Sequence, residues 1–187
     1  DLGTVPDNLA ATRDALRRAA SDNDLIITSG GVSVGEEDHV KPAVEAEGQL
    51  DMWKIAIKPG KPLAFGEVRR TGHEGNSWFI GLPGNPVSAL VTFMMLVRPF
   101  ILRLQGVAEV TPQVLHLRAH FDWKKQDPRT EFLRARMTRD AGVELFPNQG
   151  AGVTSSLCWG NGLVMNPAGQ TIAVGDLVRF LPYSELS

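Results

Sequence analysis

The stretch that decides the fold is DLIITSGGVSVGEED, residues 24–38. A short apolar run predicts a buried strand, and the strand leads into a glycine-rich loop with acidic residues behind it. Pro42 fits only the first turn of a helix, so the next helix is predicted to begin within residues 38–41. Strand, glycine loop and helix in this order are typical of α/β domains that bind ligands at the carboxyl ends of their strands.

Helix and strand signals alternate on both sides of this stretch. Asp7 is the predicted N-cap of a helix over residues 8–20. Pro86 opens an apolar helix that is predicted to run to about Leu104, with a kink or break at Pro99. Strands are predicted at residues 50–57, 63–68 and 77–81. The alternation favours a mainly parallel α/β sheet.

The second half of the chain changes character after Gly106. Short strand-like runs alternate with turn signals there, and this pattern is typical of a small β-barrel or sandwich. The predicted strands cover residues 114–123, 132–138, 143–146, 162–165 and 176–181. We therefore expect two domains, at residues 1–107 and 108–187.

Composition argues against several classes of protein. The formal charge is -2 with both signs interspersed, which disfavours a nucleic-acid surface. We expect no membrane span, because no apolar run is predicted to approach the ~20 residues required and no leader opens the chain. Cys158 is the single cysteine and is expected to be a small buried hydrophobe. These features favour a cytoplasmic protein.

Two lysines stand in KPGKP, residues 58–62. The prolines and the glycine restrict the backbone so that Lys58 and Lys61 can point at one place, which suits a compact anion. Lys54 lies four residues before Lys58 on the predicted strand and hence on the same face. For Lys54 a solvated strand edge is an equally good interpretation.

Two further loops are candidates for binding phosphate. Backbone N–H groups of the glycine loop can cradle phosphate oxygens, although its spacing matches neither a P-loop nor a dinucleotide fingerprint. GLPGNPVSA, residues 81–89, is a second shaped loop, in which Asn85 can cap the next helix. An ordinary turn is the alternative for either loop alone. The acidic residues after the first loop, Glu36, Glu37 and Asp38, suggest Mg²⁺ held between carboxylate and phosphate oxygens.

The second half offers RTEFLRAR, residues 129–136, and NQGAGVTSS, residues 148–156. Arginine pairs well with tetrahedral oxyanions. Arg134 and Arg136 share one predicted strand face, so at least one of the three arginines is expected to be an ordinary surface residue.

Taken together and in order, TSGGVSVGEED, KPGKP, GLPGNPVSA, RTEFLRAR and the NQG turn resemble the C-terminal half of the MoeA/gephyrin family of molybdopterin molybdenumtransferases. The resemblance covers essentially the whole chain. It implies that the first domain is a three-layer, MogA-like molybdopterin-binding domain without its first strand and helix. It also implies that the second domain is the family's β-barrel.

The resemblance implies a transferase activity in molybdenum cofactor biosynthesis. Members insert molybdenum from molybdate into adenylylated molybdopterin with Mg²⁺ and release AMP. They are homodimers whose active site is completed by the partner, so this chain alone is expected to be inactive. A molybdopterin adenylyltransferase is implied as a further partner.

The resemblance also implies individual roles. The catalytic residues are Asp38, Asp7, Lys54 and Lys58, and Asp38 is also the Mg²⁺ ligand. The molybdate-binding residues are Lys58, Lys61, Pro62, Ser88 and Arg129. The residues that bind molybdopterin phosphate are Ser29, Gly30, Gly31, Val32, Ser33, Gly35, Pro83, Gly84, Asn85 and Pro86. Ala151 stands where the family often has serine, and Ser155 or Ser156 is expected to compensate for the lost donor.

Two alternative functions remain open. A molybdopterin adenylyltransferase would share the glycine loop but use ATP; KPGKP and the added β domain argue against it. A gephyrin-like binding scaffold would share the architecture, but the retained lysines favour chemistry.

Overall fold

The computed structural model describes residues 1–30, 39–60, 63–72 and 74–186, with the backbone but not the side chain of Trp53. The chain forms two compact units. The first comprises Asp1–Ile55 and Pro62–Gly84, and the second comprises Ala56–Lys61 and Asn85–Ser187. The helix that begins at Pro86 therefore falls in the second unit, whereas the predicted boundary near residue 107 put it in the first.

The described strands are numbered in chain order. They are β1 Leu25–Ser29, β2 Gly48–Trp53, β3 Ile57–Lys58, β4 Leu63–Arg69, β5 Asn76–Leu82, β6 Leu115–Ala119, β7 Thr130–Met137, β8 Gly142–Leu145, β9 Gly162–Asn166 and β10 Leu177–Pro182. The α-helices are α1 Leu9–Asp22, α2 Val40–Glu47, α3 Pro86–Thr92, α4 Arg98–Leu104 and α5 Ser155–Trp159.

The first unit contains a four-stranded sheet in the order β1-β5-β4-β2. This confirms the α/β class, but the expected mainly parallel arrangement is wrong for the described strands. Only β1 and β5 pair in parallel, while β4 pairs antiparallel with both β5 and β2. The polar segment between β4 and β5 is short enough to join them as a hairpin, which fixes the antiparallel direction.

Helices α1 and α2 pack on one face of this sheet. Leu16 of α1 and Val44 of α2 share a buried cluster with Val68 of β4 and Phe79 of β5. The described part of this unit thus has two layers. Apolar side chains at helical spacing account for the packing, because the buried residues Leu16 and Ala20 of α1 lie four positions apart.

Helix α1 begins one residue later than predicted. Asn8, and not Asp7, is the N-cap, because its Oδ1 accepts a hydrogen bond of 2.9 Å from the Ala11 N–H. This satisfies one of the donors that a helix start leaves without an intrahelical partner. Asp7 lies just outside the helix and is exposed.

The second unit contains a five-stranded barrel, as predicted. Its strands run β7-β8-β6-β10-β9, and a direct pairing of β7 with β9 closes the ring. Leu133, Ala135, Val164 and Phe180 form part of the buried interior. Strand β3 adds to this sheet by pairing in parallel with the start of β7.

The predicted strand over residues 50–57 is two strands. Strand β2 pairs with β4 in the first unit, whereas β3 pairs with β7 in the second. Residues 54–56, between the two strands, have no regular structure.

The helical stretch Pro86–Leu104 is interrupted as the sequence predicted, but before Pro99. A π-helical turn, Phe93–Val97, lies between α3 and α4, and Pro99 occupies the first turn of α4. The helical path continues into α4, because Val97 has helical dihedral angles, so the missing N–H and the ring of Pro99 disturb the turn before it, which accounts for the interruption there. Val87 and Val91 pack against Phe132 and Leu163 of the barrel.

The same stretch corrects one expectation from composition. It is 19 residues long and apolar enough to cross a membrane by length and composition alone, although no apolar run of such length was expected. Core helices of soluble proteins and signal sequences can meet the same criteria, so the stretch is weak evidence for a membrane span.

Helix α5 was not predicted, because its five residues are too few to show a helical period. It carries Cys158, which is exposed, so the expectation of a buried thiol is wrong. The short helix covers one side of β7 with Ser156 and leaves Cys158 on its outer side.

A substitution at Gly162 would test how closely the strands of the barrel pack at this position. A methyl group at this position would lie 2.5 Å from the Leu181 carbonyl oxygen and would overlap the Phe180 ring. We expect Gly162→Ala to lower the free energy of unfolding by roughly 1–3 kcal/mol in urea titrations, as overpacking does. Gly152→Ala is the matched control, since nothing lies within 4 Å of its added methyl group. Equal effects of the two substitutions would contradict this view of the barrel.

Candidate functional site

Lys58 lies at the centre of a cluster of charged side chains in the second unit. The register of β3 and β7 places it opposite Glu131. Its Nζ donates to Glu131 Oε1 at 2.9 Å and lies 3.1 Å from Asp127 Oδ2. An ammonium group has three N–H donors, so the described residues leave at least one for a ligand. The side chain is 30% exposed.

Glu131 is the buried anchor of the cluster. It is 1% exposed, and its second oxygen, Oε2, accepts hydrogen bonds from Trp123 Nε1 at 2.7 Å and from Asn166 Nδ2 at 3.2 Å. Asn166 Nδ2 also donates to the Gln170 carbonyl at 3.0 Å. A buried charge needs partners of this kind, and Glu131 has them on both oxygens.

Asp127 joins the cluster to Arg129. The guanidinium Nε donates to Asp127 Oδ1 at 2.8 Å and Nη2 donates to Oδ2 at 3.0 Å, which is a bidentate pair. The Arg129 backbone N–H adds a bond of 3.1 Å to Oδ1. The turn before β7 therefore fixes both side chains locally.

The charges of this cluster shift one another's pKa values. Hydrogen bonds from Arg129, followed by those from Lys58, hold the pKa of Asp127 well below its ordinary value. Burial acts to lower the pKa of Lys58, but the hydrogen bonds and charges of Glu131 and Asp127 outweigh it and raise that pKa. The hydrogen bond to Asp127 raises the pKa of Arg129. All three groups are charged at neutral pH, and two cations face two carboxylates.

The structure thus brings together two predicted molybdate ligands, Lys58 and Arg129. It also reveals two carboxylates that the sequence analysis missed. Asp127 lies outside the motifs considered in the sequence analysis, and Glu131 lies within RTEFLRAR but was given no role there. The sequence did contain evidence for these two carboxylates, since acidic side chains two residues on either side of Arg129 indicate ion pairing.

Lys54 is exposed and follows β2, in the first unit. The inference that it shares a strand face with Lys58 is wrong, because the strand between them is interrupted. Its assignment as a catalytic lysine stays a prediction.

Arg134 has a different environment from Arg129. It is 1% exposed and forms no ion pair with any carboxylate of the described residues. Its Nε donates to Ser156 Oγ at 3.1 Å and its Nη2 donates to the Gly150 carbonyl at 3.0 Å. Burial lowers the pKa of this guanidinium. The expected surface arginine is Arg136, which is exposed and pairs with Glu144 and the ring of Trp159.

The NQG turn covers Arg134. The Gln149 side chain accepts from the Arg134 N–H at 2.9 Å and donates to its carbonyl at 2.9 Å, so it imitates a neighbouring strand. Ser156 is fully buried and donates to the Val153 carbonyl at 2.5 Å. Of the two serines proposed to compensate for Ala151, Ser156 is the one that contacts an arginine, whereas Ser155 is exposed.

Tyr183 lies near the same arginine and interacts with it electrostatically. Its buried hydroxyl has no hydrogen-bond partner among the described residues. Burial raises the pKa of Tyr183 to about 12, so the phenol is neutral at physiological pH. A buried guanidinium and a buried phenol thus offer donors that nearby acceptors satisfy only in part.

Two of the predicted phosphate-binding loops meet in the first unit. The Gly30 N–H donates to the Leu82 carbonyl at 3.1 Å, and a methyl group at Gly84 would lie 3.5 Å from Gly30 Cα. Gly30 has φ +85, a conformation that side chains other than glycine rarely adopt. Ser29 and Gly84 are exposed and Pro83 is half-buried.

At the start of α3, Pro86 occupies the first turn as predicted, but the Asn85 side chain makes no capping hydrogen bond. The predicted molybdate ligand Ser88 is buried in the same helix.

Several predicted site residues lie outside the described part of the chain. They are Gly31, Val32, Ser33, Gly35, Asp38, Lys61 and Pro62. Among the described residues no group of three or more acidic, histidine or cysteine side chains could hold a metal ion. The Mg²⁺ site at Asp38 therefore stays a prediction.

Two family models match the two halves of the chain. Residues 1–103 match the probable molybdopterin binding domain, and residues 116–183 match the MoeA C-terminal region (domain IV). This chain belongs to the MoeA/gephyrin family. The resemblance stated from the sequence motifs is thereby confirmed.

Relatives of this MoeA/gephyrin-family chain agree with that assignment. A molybdopterin molybdenumtransferase of Haemophilus influenzae is 42% identical over 100% of this chain and 46% of its own length. Gephyrin of Dictyostelium discoideum is 39% identical over 56% of this chain and 16% of its own. The crystal structure of a molybdopterin biosynthesis MoeA protein from Pyrococcus horikoshii has the same fold, with a TM-score of 0.76 at 24% identity, covering 97% of this chain and 43% of that one. The chain thus spans less than half of the Haemophilus relative.

The lowered pKa of Asp127 predicts that the stability of the fold depends on pH. Since its folded-state pKa is depressed, its ion pairs stabilise the fold fully above the unfolded-state value of about 4, and this contribution is lost as the pH falls toward the folded-state pKa. Asp127→Asn removes the contribution. In urea titrations we expect the stability difference between parent and variant to be largest near neutral pH and to shrink below about pH 4. A difference that stays constant with pH would contradict this assignment.

Proposed function

We propose that the full-length protein inserts molybdenum from molybdate into adenylylated molybdopterin and releases AMP. The observation that carries the proposal is Lys58, a partly exposed ammonium held by two carboxylates within a chain of this family. An aimed ammonium with a spare donor suits one oxygen of a tetrahedral oxyanion. In this proposal Lys58 binds and orients molybdate, and the Gly30 and Gly84 loops of the first unit bind the phosphate of the pterin substrate.

The balance of charges within the cluster limits the net attraction that it can offer to an anion. Lys58 and Arg129 are already balanced by Asp127 and Glu131, so net attraction for a dianion has to come from other cations. Lys61, Lys54 and Arg134 remain as sources. Arg134 is buried and pairs with no carboxylate among the described residues, and an oxyanion would relieve the cost of its burial. We therefore add Arg134 to the proposed molybdate ligands, beside Lys61, Pro62, Ser88 and Arg129.

Further parts of the proposal depend on the resemblance. Asp38 would hold Mg²⁺, which would neutralise phosphate charge when bound, and Asp7 and Lys54 are proposed to act in catalysis. A cytoplasmic homodimer that receives its substrate from a molybdopterin adenylyltransferase is also proposed. The adenylyltransferase and scaffold alternatives predict, respectively, ATP consumption with molybdopterin and no binding of molybdopterin at micromolar levels.

The function is tested by AMP release from adenylylated molybdopterin by the full-length protein. We expect release to depend on molybdate and to fall at least about tenfold in Lys58→Gln, because a lost charged hydrogen bond costs roughly 1.5–3 kcal/mol. Lys124→Gln, which changes an exposed lysine elsewhere in the second unit, is the control and should release AMP at the parent rate. Release without molybdate, or parent-like release by Lys58→Gln, would refute the proposal.

The two arginines can be separated by calorimetric titration with sodium molybdate. Arg134→Gln is expected to weaken binding more than Arg129→Gln, because Asp127 already balances the charge of Arg129. Arg134→Lys keeps the charge and should recover part of the affinity; thermal unfolding of each variant controls for loss of structure. A larger loss in Arg129→Gln would assign the anion to Arg129 instead.

A further inference from the structure

Glu131 contacts Lys58 from within the protein, and its own surroundings show how firmly it is held. Its two oxygens accept hydrogen bonds from different partners. Oε1 accepts from Lys58, and Oε2 accepts from Trp123 and Asn166. Trp123 is itself fixed by two backbone hydrogen bonds to Ile172, of 2.8 and 2.9 Å. A carboxylate with three donors and 1% exposure has little freedom to move.

Lys58, in contrast, has a long flexible side chain that is 30% exposed. Such an ammonium loses rotamer entropy when it is held in one place. Glu131 orders the Lys58 side chain before any ligand binds, because the strand register of β3 and β7 already aligns the two side chains. Pre-ordering of a binding group raises affinity by removing its ordering cost from the binding step.

We propose that Glu131 is a positioning residue, which fixes the Lys58 ammonium for an oxyanion ligand and is itself oriented by Trp123 and Asn166. The inference rests on the proposed function for molybdate as the ligand. It extends that function to a residue that never touches the substrate. Glu131 acts only through Lys58.

The direction in which one substitution changes the affinity for the anion distinguishes positioning from simple electrostatics. Removing a negative charge beside an anion site should tighten anion binding if charge alone matters. Glu131→Gln removes that charge, but an amide has only one acceptor oxygen. Its NH₂ group must then face either the Lys58 ammonium or the Trp123 and Asn166 donors, so the anchor fails on one side. Positioning therefore predicts weaker binding.

The experiment titrates sodium molybdate into the full-length protein by calorimetry at neutral pH. We expect Glu131→Gln to raise the Kd about tenfold, and Trp123→Phe, which removes one donor and keeps an aromatic ring, to raise it about threefold. Glu144→Gln is the matched control, since it removes the carboxylate of an exposed ion pair with Arg136, and its Kd should equal that of the parent. Unchanged or tighter binding in Glu131→Gln overturns the proposal.

A second readout does not depend on molybdate. In lysine-labelled protein, the ¹⁵N resonance of the Lys58 ammonium should be protected from solvent exchange in the parent and in Glu144→Gln, and should broaden in Glu131→Gln. Retention of an ordered Lys58 signal in Glu131→Gln overturns the positioning role, even if molybdate binds elsewhere. Loss of that order with no molybdate binding by the parent would instead refute the proposed function and leave Glu131 as the residue that orders Lys58.

Discussion

The hydrogen bond between Lys58 and Glu131 is the interaction on which the proposed site depends. It joins a two-residue strand to the barrel, because β3 has no other partner than the start of β7 among the described strands. It also couples a partly exposed cation to a buried carboxylate, so the position of the cation follows from the barrel interior. The ammonium of a lysine on an isolated loop would not be held in one position by the barrel interior.

The same arrangement explains why a site rich in cations is not simply a positive pocket. Asp127 and Glu131 neutralise Lys58 and Arg129, which keeps the folded protein stable when no anion is bound. In the proposed site, the affinity for an oxyanion would then depend on donor geometry and on one guanidinium, Arg134, that no described carboxylate balances. Neutral partners such as the Ser156 hydroxyl hold that guanidinium without cancelling its charge.

The sequence predicted the class of each unit, the barrel strands and the family, because periodicity, turn residues and ordered motifs are local properties. It did not predict the split between β2 and β3, since the pairing of β3 with β7 joins residues about 70 positions apart. For the same reason the motif KPGKP identified Lys58 but not the carboxylates that hold it. Burial separated Arg134 from Arg136, which alternation alone placed on one face.

The most direct test of the account is to locate the anion. Crystals of the full-length protein soaked with tungstate, a heavier tetrahedral analogue of molybdate, would show the metal by its anomalous scattering. The account predicts a peak whose oxygens lie within hydrogen-bond distance, about 2.7–3.2 Å, of Lys58 Nζ, with Glu131 still bound to that ammonium. A tungstate site remote from Lys58, or a Lys58 released from Glu131 in the complex, would contradict it.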